Sequence, residues 1–172
     1  GEEARLAEAA ADGLRMFEQL FGYRSRTFIA PCYTWPASLE KTLRAEGVEA
    51  LQGMIHQCLP GGGHRRHWFG SRNALGQTYL LRNCFFEPTT DACADPVDAC
   101  MERIACAFRW HKPAVISSHR VNYVGFIHPT NRDRSLRLLG ELLDRIRRRW
   151  PDVRFRTSDE LTSLLADQKN PT

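Results

Sequence analysis

Short apolar segments alternate with amphipathic segments along this chain, and that alternation constrains the fold more than any other feature. Strands are predicted at 27–30, 48–52, 78–81, 113–116 and 153–156. Helices are predicted at 3–21, about 95–110 and about 132–150, with shorter ones around 39–43 and 161–165. Strands that alternate with helices pair in parallel through crossover connections. The sequence therefore predicts an α/β fold in a single domain spanning residues 1–172.

Composition excludes several classes of protein. With 42% hydrophobic and 26% charged residues, the chain is not of the disordered type. No run of about 18 apolar residues occurs, so no membrane span is expected. The net charge of +4 permits an anionic partner, but nucleic-acid binders usually concentrate more positive charge on one face.

Local signals place several helix ends. Gly22 follows the first amphipathic segment and is expected to cap it in a left-handed conformation. Asp95 and Pro96 form a typical N-cap and first helical position. Thr157 and Glu160 have the spacing of a capping box. Residues 60–76, which are rich in glycine and arginine, are predicted to form a long loop.

Cysteine and histidine spacing gives little sign of a metal site. None of the six cysteines forms a Cys-x-x-Cys pair, so a structural zinc site is not expected. Cys84, Cys93 and Cys100 are close enough in sequence to permit a disulfide, although free thiols are favoured in a domain of this size. His64 and His67 are read as part of a solvated basic loop rather than as a chelate.

A basic strip occurs on the helix predicted at 132–150. It consists of Arg145, Arg147, Arg148 and Arg149. A solvated helix face explains this run better than a phosphate-binding strip does.

Unusual polar and aromatic residues come directly after three of the predicted strands. They are Tyr33 and Trp35, then Arg82, Asn83 and Glu87, then His119, Arg120, Asn122 and Tyr123. In α/β folds, ligands bind at the carboxyl ends of the strands, so these groups are expected on one face. Aromatic rings stack on sugars, a carboxylate and a histidine exchange protons, and arginine or asparagine holds hydroxyls or an oxyanion.

Each of these residues also has a structural interpretation. His119 could serve only as a hydrogen-bonding residue at the rim, and Glu87 could be a partner of Arg82. Tyr33 and Trp35 could be packing aromatics, and Arg120 and Asn122 could brace loops. Position and chemistry alone leave these alternatives open.

Four segments resemble motifs of polysaccharide deacetylase-like proteins, in the same order along the chain. They are FIAPCYTW at 28–35, RNCFFEP at 82–88, ISSHRVNY at 116–123, and the tail with WPDV at 150–153 and SDEL at 158–161. The resemblance covers nearly the whole chain. It implies a distorted (β/α) barrel with seven strands, of which this chain would be the C-terminal part, and metal-dependent removal of acetyl groups from N-acetylated sugars.

The resemblance also implies roles for residues. Pro31 and Tyr33 match a substrate-groove motif in which a backbone N–H near the tyrosine polarises the acetyl carbonyl. His119 matches a histidine proposed as general acid. The family's groove arginine is absent, and Ser117 stands where the family has an apolar residue.

The predicted site therefore has two sets of residues. The catalytic set is His119, Glu87 and Arg82; the substrate-binding set is Pro31, Tyr33, Trp35, Asn83, Arg120, Asn122 and Tyr123.

The family's metal ligands, which precede these motifs, are not found in this chain. A divalent metal, with zinc expected, would belong to a longer protein with a metal-binding segment upstream. The leading hypothesis is a hydrolase that cleaves C–N bonds in a carbohydrate substrate, and the resemblance favours a secreted or periplasmic location. Open sheet edges would pair with the missing upstream segment or with another chain. The alternatives are a non-catalytic carbohydrate-binding relative and a basic domain associated with nucleic acid.

Overall fold

A computed structural model describes residues 1–90 and 95–167 of the chain, which folds as two compact units. Unit 1 consists of residues 1–81 and the segment from Arg156 onward, and unit 2 consists of residues 82–155. Both units mix helices with short strands, which confirms the α/β class. No closed barrel forms within the described ranges.

The elements follow the predicted alternation. The described helices are α1 (Glu2–Phe21), α2 (Ala37–Ala45), α3 (Pro96–Arg109), α4 (Pro129–Arg149) and α5 (Ser158–Asp167). The described strands are β1 (Thr27–Ile29), β2 (Ala50–Gly53), β3 (His56–Cys58), β4 (His64–Arg66), β5 (Thr78–Leu81), β6 (Cys84–Phe85) and β7 (Ile116–Ser117). Short 3-10 turns lie at Pro31–Tyr33 and Arg120–Asn122. None of the described helices is long and apolar enough to span a bilayer.

Unit 1 is built on a parallel sheet with the strand order β1-β2-β5. Leu51 is the register partner of Phe28 on one side and of Tyr79 on the other. The core of unit 1 is formed by Leu39 and Leu43 of α2 together with Val48, Leu51 and Tyr79. The parallel pairing of β1 and β2 around α2 is the connection that the alternating sequence predicts.

Unit 2 contains a second parallel pair, β6 with β7, in which Phe85 is the register partner of Ser117. Its core lies around α3 and α4 and includes Phe86, Met101, Ile104, Leu142 and Ile146. This short pair of strands positions the loops discussed below, because Glu87 and His119 each come two residues after a strand end.

The described cysteines are free thiols: Cys32, Cys58, Cys84, Cys100 and Cys106. Cys93, which the sequence offered as a disulfide partner, lies outside the described residues. Cys84 and Cys100 belong to the unit 2 core. Burial raises the pKa of the Cys84 thiol to about 12 and that of Cys100 to about 11. Both are therefore protonated and unreactive at neutral pH.

Helix-end signals in the sequence are confirmed. Gly22 has φ 75° and donates its backbone N–H to Glu18. The Asp95 side chain accepts hydrogen bonds from the backbone of Val97 and Asp98. In the capping box, the Glu160 carboxylate accepts from the Thr157 N–H at 2.9 Å, and the Thr157 hydroxyl accepts from the Glu160 N–H at 3.2 Å.

The strands differ from the prediction in three places. Residues 153–156 form no strand, because no other described strand pairs with them. The predicted loop at 60–76 contains β4, which pairs with β3 in an antiparallel hairpin that turns at Gly62 and Gly63, where φ is 92° and 83°. Strand β6 was not predicted, because two residues carry too little pattern to be recognised.

Candidate functional site

Glu87 and His119 lie side by side at the carboxyl ends of β6 and β7. The parallel register that pairs Phe85 with Ser117 places Glu87 opposite His119 two residues further on. The Nδ1 atom of His119 is 2.7 Å from Oε1 of Glu87, and the backbone N–H of His119 donates to Oε2 at 3.4 Å. The sheet therefore brings together the two residues that the sequence singled out for proton exchange.

The two members of this pair differ in exposure. The His119 side chain is 66% exposed and the Glu87 side chain is 23% exposed. A carboxylate only accepts hydrogen bonds, so Nδ1 of His119 is the donor and Nε2 of the neutral ring is left as an acceptor. Within the described part of the chain, no hydrogen bond engages Nε2. The pair thus presents one proton-accepting nitrogen to solvent.

Asn122 forms a hydrogen bond with Glu87 and has no exposed surface. Its amide nitrogen donates to Glu87 Oε2 at 2.8 Å and to the carbonyl oxygen of His119 at 2.9 Å. Its amide oxygen accepts from the backbone N–H of Thr89 at 3.1 Å and from the Thr89 hydroxyl at 2.5 Å. The sequence suggested that Asn122 binds substrate; in the structure it links the two loops that carry Glu87 and His119.

Neighbouring side chains stabilise these loops. The hydroxyls of Ser118 and Tyr123 lie 2.7 Å apart, and burial raises the pKa of Tyr123. From α4, Arg134 donates to the carbonyl of Pro88 at 2.8 Å and Asn131 donates to that of Val121 at 3.1 Å. Sequence reasoning missed Thr89, Asn131 and Arg134, because hydrogen bonds between loops and a helix leave no periodic signal.

The remaining predicted residues of unit 2 occupy different positions. Asn83 bridges backbone groups, donating to the carbonyl of Pro113 at 3.0 Å and accepting from the N–H of Val115 at 2.7 Å. Arg120 is exposed in the 3-10 turn next to His119, whereas Arg82 is half-buried. Glu87 pairs with His119 and Asn122, so the carboxylate orients the histidine.

Pro31, Tyr33 and Trp35 belong to unit 1. Tyr33 has φ 54°, and its backbone N–H donates to Ala30 at 3.1 Å. Trp35 is 3% exposed, and its indole N–H donates to Glu40 at 3.2 Å, so the ring is part of the unit 1 core. That these residues share one face with His119 stays a prediction.

The described residues do not supply a metal site. Over residues 1–90 and 95–167, no three histidine, cysteine, aspartate or glutamate side chains group together as ligands. His67 instead contacts Gln57, with its Nε2 atom 2.8 Å from Oε1. One histidine and one carboxylate at the Glu87–His119 site do not make a metal site, and the expected metal remains a prediction about a longer protein.

Comparisons with known proteins give no match: no protein-family model, no curated protein and no solved structure matches the chain. The resemblance to polysaccharide deacetylases therefore stays a prediction from the sequence motifs.

Proposed function

We propose that unit 2 carries the proton-transfer site of a carbohydrate-active hydrolase of the polysaccharide deacetylase type. His119 is the group that exchanges a proton with the substrate, and Glu87 is the carboxylate that orients it. The observation that carries this proposal is the 2.7 Å contact between Glu87 Oε1 and His119 Nδ1, with the opposite nitrogen of the ring open to solvent.

The geometry gives Glu87, His119 and Asn122 different roles in this proposal. Glu87 fixes the Nδ1–H tautomer and stabilises the imidazolium that forms when Nε2 takes a proton from the water that attacks the acyl carbon. The protonated ring can then donate from Nε2 to the nitrogen of a departing amine, as amide cleavage requires. Asn122 keeps the carboxylate in place, so it is a positioning residue.

The substrate class rests on the sequence motifs and on the place of the pair in the fold. Glu87 and His119 lie at the carboxyl ends of parallel strands, where α/β proteins bind ligands. Arg120 is exposed and follows His119 directly in the chain, which supports a role for it in contacting a sugar hydroxyl or an acyl oxygen. No step is assigned to a metal, since the described residues do not provide its ligands.

The barrel and the missing segment belong to the same proposal. The parallel pairing of β1, β2 and β5, and of β6 with β7, supports a reading of these strands as part of a distorted (β/α) barrel. A longer native protein would supply the remaining strands and the metal ligands.

The test is acetate release from N-acetylglucosamine oligomers by the complete native protein. Replacement His119→Gln is expected to lower kcat by about 10²- to 10⁴-fold, the usual contribution of general acid–base catalysis. The matched control is His64→Gln, which alters an exposed histidine of unit 1 and should leave kcat unchanged. Sugar binding without acetate release would favour the non-catalytic relative, and a fully active His119→Gln variant would overturn the proposal.

A further inference from the structure

Unit 1 contains a second polar cluster, which the proposed hydrolase site does not use. It surrounds a cleft with a volume of about 510 Å³. Glu40 of α2 and Tyr79 of β5 line its inner part, together with His67 and Asn73. Three arginines, Arg65, Arg66 and Arg72, line the same cleft and are exposed.

The floor of the cleft is organised by the Glu40 carboxylate. Glu40 is 4% exposed, and its Oε1 atom accepts from the indole N–H of Trp35 at 3.2 Å and from the Tyr79 hydroxyl at 2.9 Å. Its Oε2 atom accepts from the Asn73 amide at 2.8 Å. A buried carboxylate needs such partners. Glu40 therefore joins Trp35, Tyr79 and Asn73 through hydrogen bonds inside the protein. It also forms an ion pair with Arg65, whose guanidinium lies 3.8 Å away.

The other titratable groups of the floor are neutral. The His67 ring stacks on Tyr79 with 3.7 Å between centroids. Burial lowers the pKa of His67, with Arg65 adding to the effect, and burial raises that of Tyr79. Neither ring carries charge at neutral pH, so the positive charge of the cleft comes from its arginines alone.

The arginines retain donors for a ligand. The Arg65 side chain is 49% exposed and contacts Glu40 at ion-pair rather than hydrogen-bond distance. Arg66 follows Arg65 on β4, so its side chain leaves the opposite face of the strand, where its guanidinium lies 4.2 Å from the centre of the Trp68 ring. Arg66 therefore contacts Trp68 rather than the floor of the cleft. No carboxylate of the described residues forms an ion pair with Arg72. The guanidinium groups of Arg65 and Arg72 thus face a single carboxylate, that of Glu40.

From these contacts we propose that the unit 1 cleft binds a small organic anion, held through its phosphate or carboxylate group by Arg65 and Arg72. Guanidinium groups bind both anions in a bidentate manner. The volume falls within the range of small-molecule sites, and half-exposed Leu75 provides apolar contact for the rest of the ligand.

Isothermal titration of the whole chain tests this directly, with inorganic pyrophosphate, glucose 6-phosphate and glucuronate as probes. Saturable binding of at least one probe is expected. Arg65→Ala and Arg72→Ala should each weaken it by about tenfold or more, because each removes charge-assisted hydrogen bonds. The control is Arg137→Ala, which changes an exposed arginine of unit 2 and should leave the affinity unchanged.

The probes also separate the two anion classes. Tighter binding of glucose 6-phosphate assigns the cleft to phosphates, and tighter binding of glucuronate assigns it to carboxylates; both outcomes support the proposal. Absence of saturable binding, or equal binding by wild type, Arg65→Ala and Arg72→Ala, would overturn it. Binding of a single-stranded oligonucleotide in place of all three probes would also overturn it, because the arginines would then form a strand-binding surface.

Discussion

Asn122 shows at the scale of a single residue why the candidate site has a defined geometry. It is fully buried, and its amide joins the Glu87 carboxylate to the loop that carries His119. The sequence predicted Asn122 as a substrate-binding residue, with loop bracing as its structural alternative. Burial decides between these readings, and burial depends on the approach of Thr89 and α4, which no local pattern encodes.

Replacement Asn122→Ala is expected to destabilise the protein by about 1–3 kcal/mol, because it removes the several hydrogen bonds of a fully buried amide that joins two loops. Urea denaturation measures this change. Asn131→Ala is the comparison: its amide makes exposed hydrogen bonds, and the loss should be smaller. An Asn122→Ala variant as stable as wild type would show that this amide does not organise the site.

His67 makes a prediction about pH. Gln57 donates from its amide nitrogen to the backbone carbonyl of Trp35 at 2.7 Å, so its oxygen accepts from Nε2–H of His67. Because burial lowers the folded-state pKa of His67 below its ordinary value of 6.5, the unfolded chain binds the proton more readily. This contribution to stability is present above pH 6.5 and is lost as the pH falls through the folded-state pKa.

Chemical denaturation between pH 7.5 and pH 5 checks this prediction. His67→Asn should reduce the dependence of stability on pH, whereas His64→Asn, at an exposed position of the same hairpin, should leave it unchanged. Glu40 and Arg65 also face His67, and both are present in either variant. An equal change of unfolding free energy with pH in wild type and His67→Asn would contradict this prediction.

At the scale of elements, the sequence predicts helices better than strand ends. Asp95, Pro96, Thr157 and Glu160 mark helix starts through contacts within a few residues, and those predictions are confirmed. Segment 153–156 alternates as a strand does but has no strand partner in the described structure, since pairing depends on residues distant in sequence.

The N-cap of α3 can be tested by Asp95→Ala. Its side chain accepts from Val97 N–H at 2.8 Å and from Asp98 N–H at 3.2 Å, and loss of such a cap typically costs about 1 kcal/mol. Urea denaturation should give that loss, with exposed Asp152→Ala nearly neutral. Equal stability of the two variants would mean that the cap contributes little.

At the scale of the whole molecule, the α/β class was predictable and the site was predictable only in part. The alternation of segments predicts the class, and the position of Glu87 and His119 directly after apolar segments predicts that they belong to the site. Their contact could not be derived, because it requires the register of β6 with β7, and β6 has only two residues. The arginine-lined cleft was also missed, since it forms from a hairpin that the sequence presented as a loop.

The reactivity of the cysteine thiols tests whether Cys84 and Cys100 are buried in the unit 2 core. Iodoacetamide at pH 7.5 is expected to modify exposed Cys32 and Cys106 in the native protein, while Cys84 and Cys100 react only after denaturation. Burial and raised pKa values protect the latter pair. Mass spectrometry of the digested protein reads out each site, and rapid native modification of Cys84 would contradict this packing.

The central claim is that Glu87 and His119 act as one unit in proton transfer, and a double-mutant cycle on acetate release by the complete native protein tests it most directly. If Glu87 acts through His119, the variant carrying both Glu87→Gln and His119→Gln should have about the same kcat as His119→Gln alone. Independent, additive losses, or no loss from either substitution, would contradict the claim.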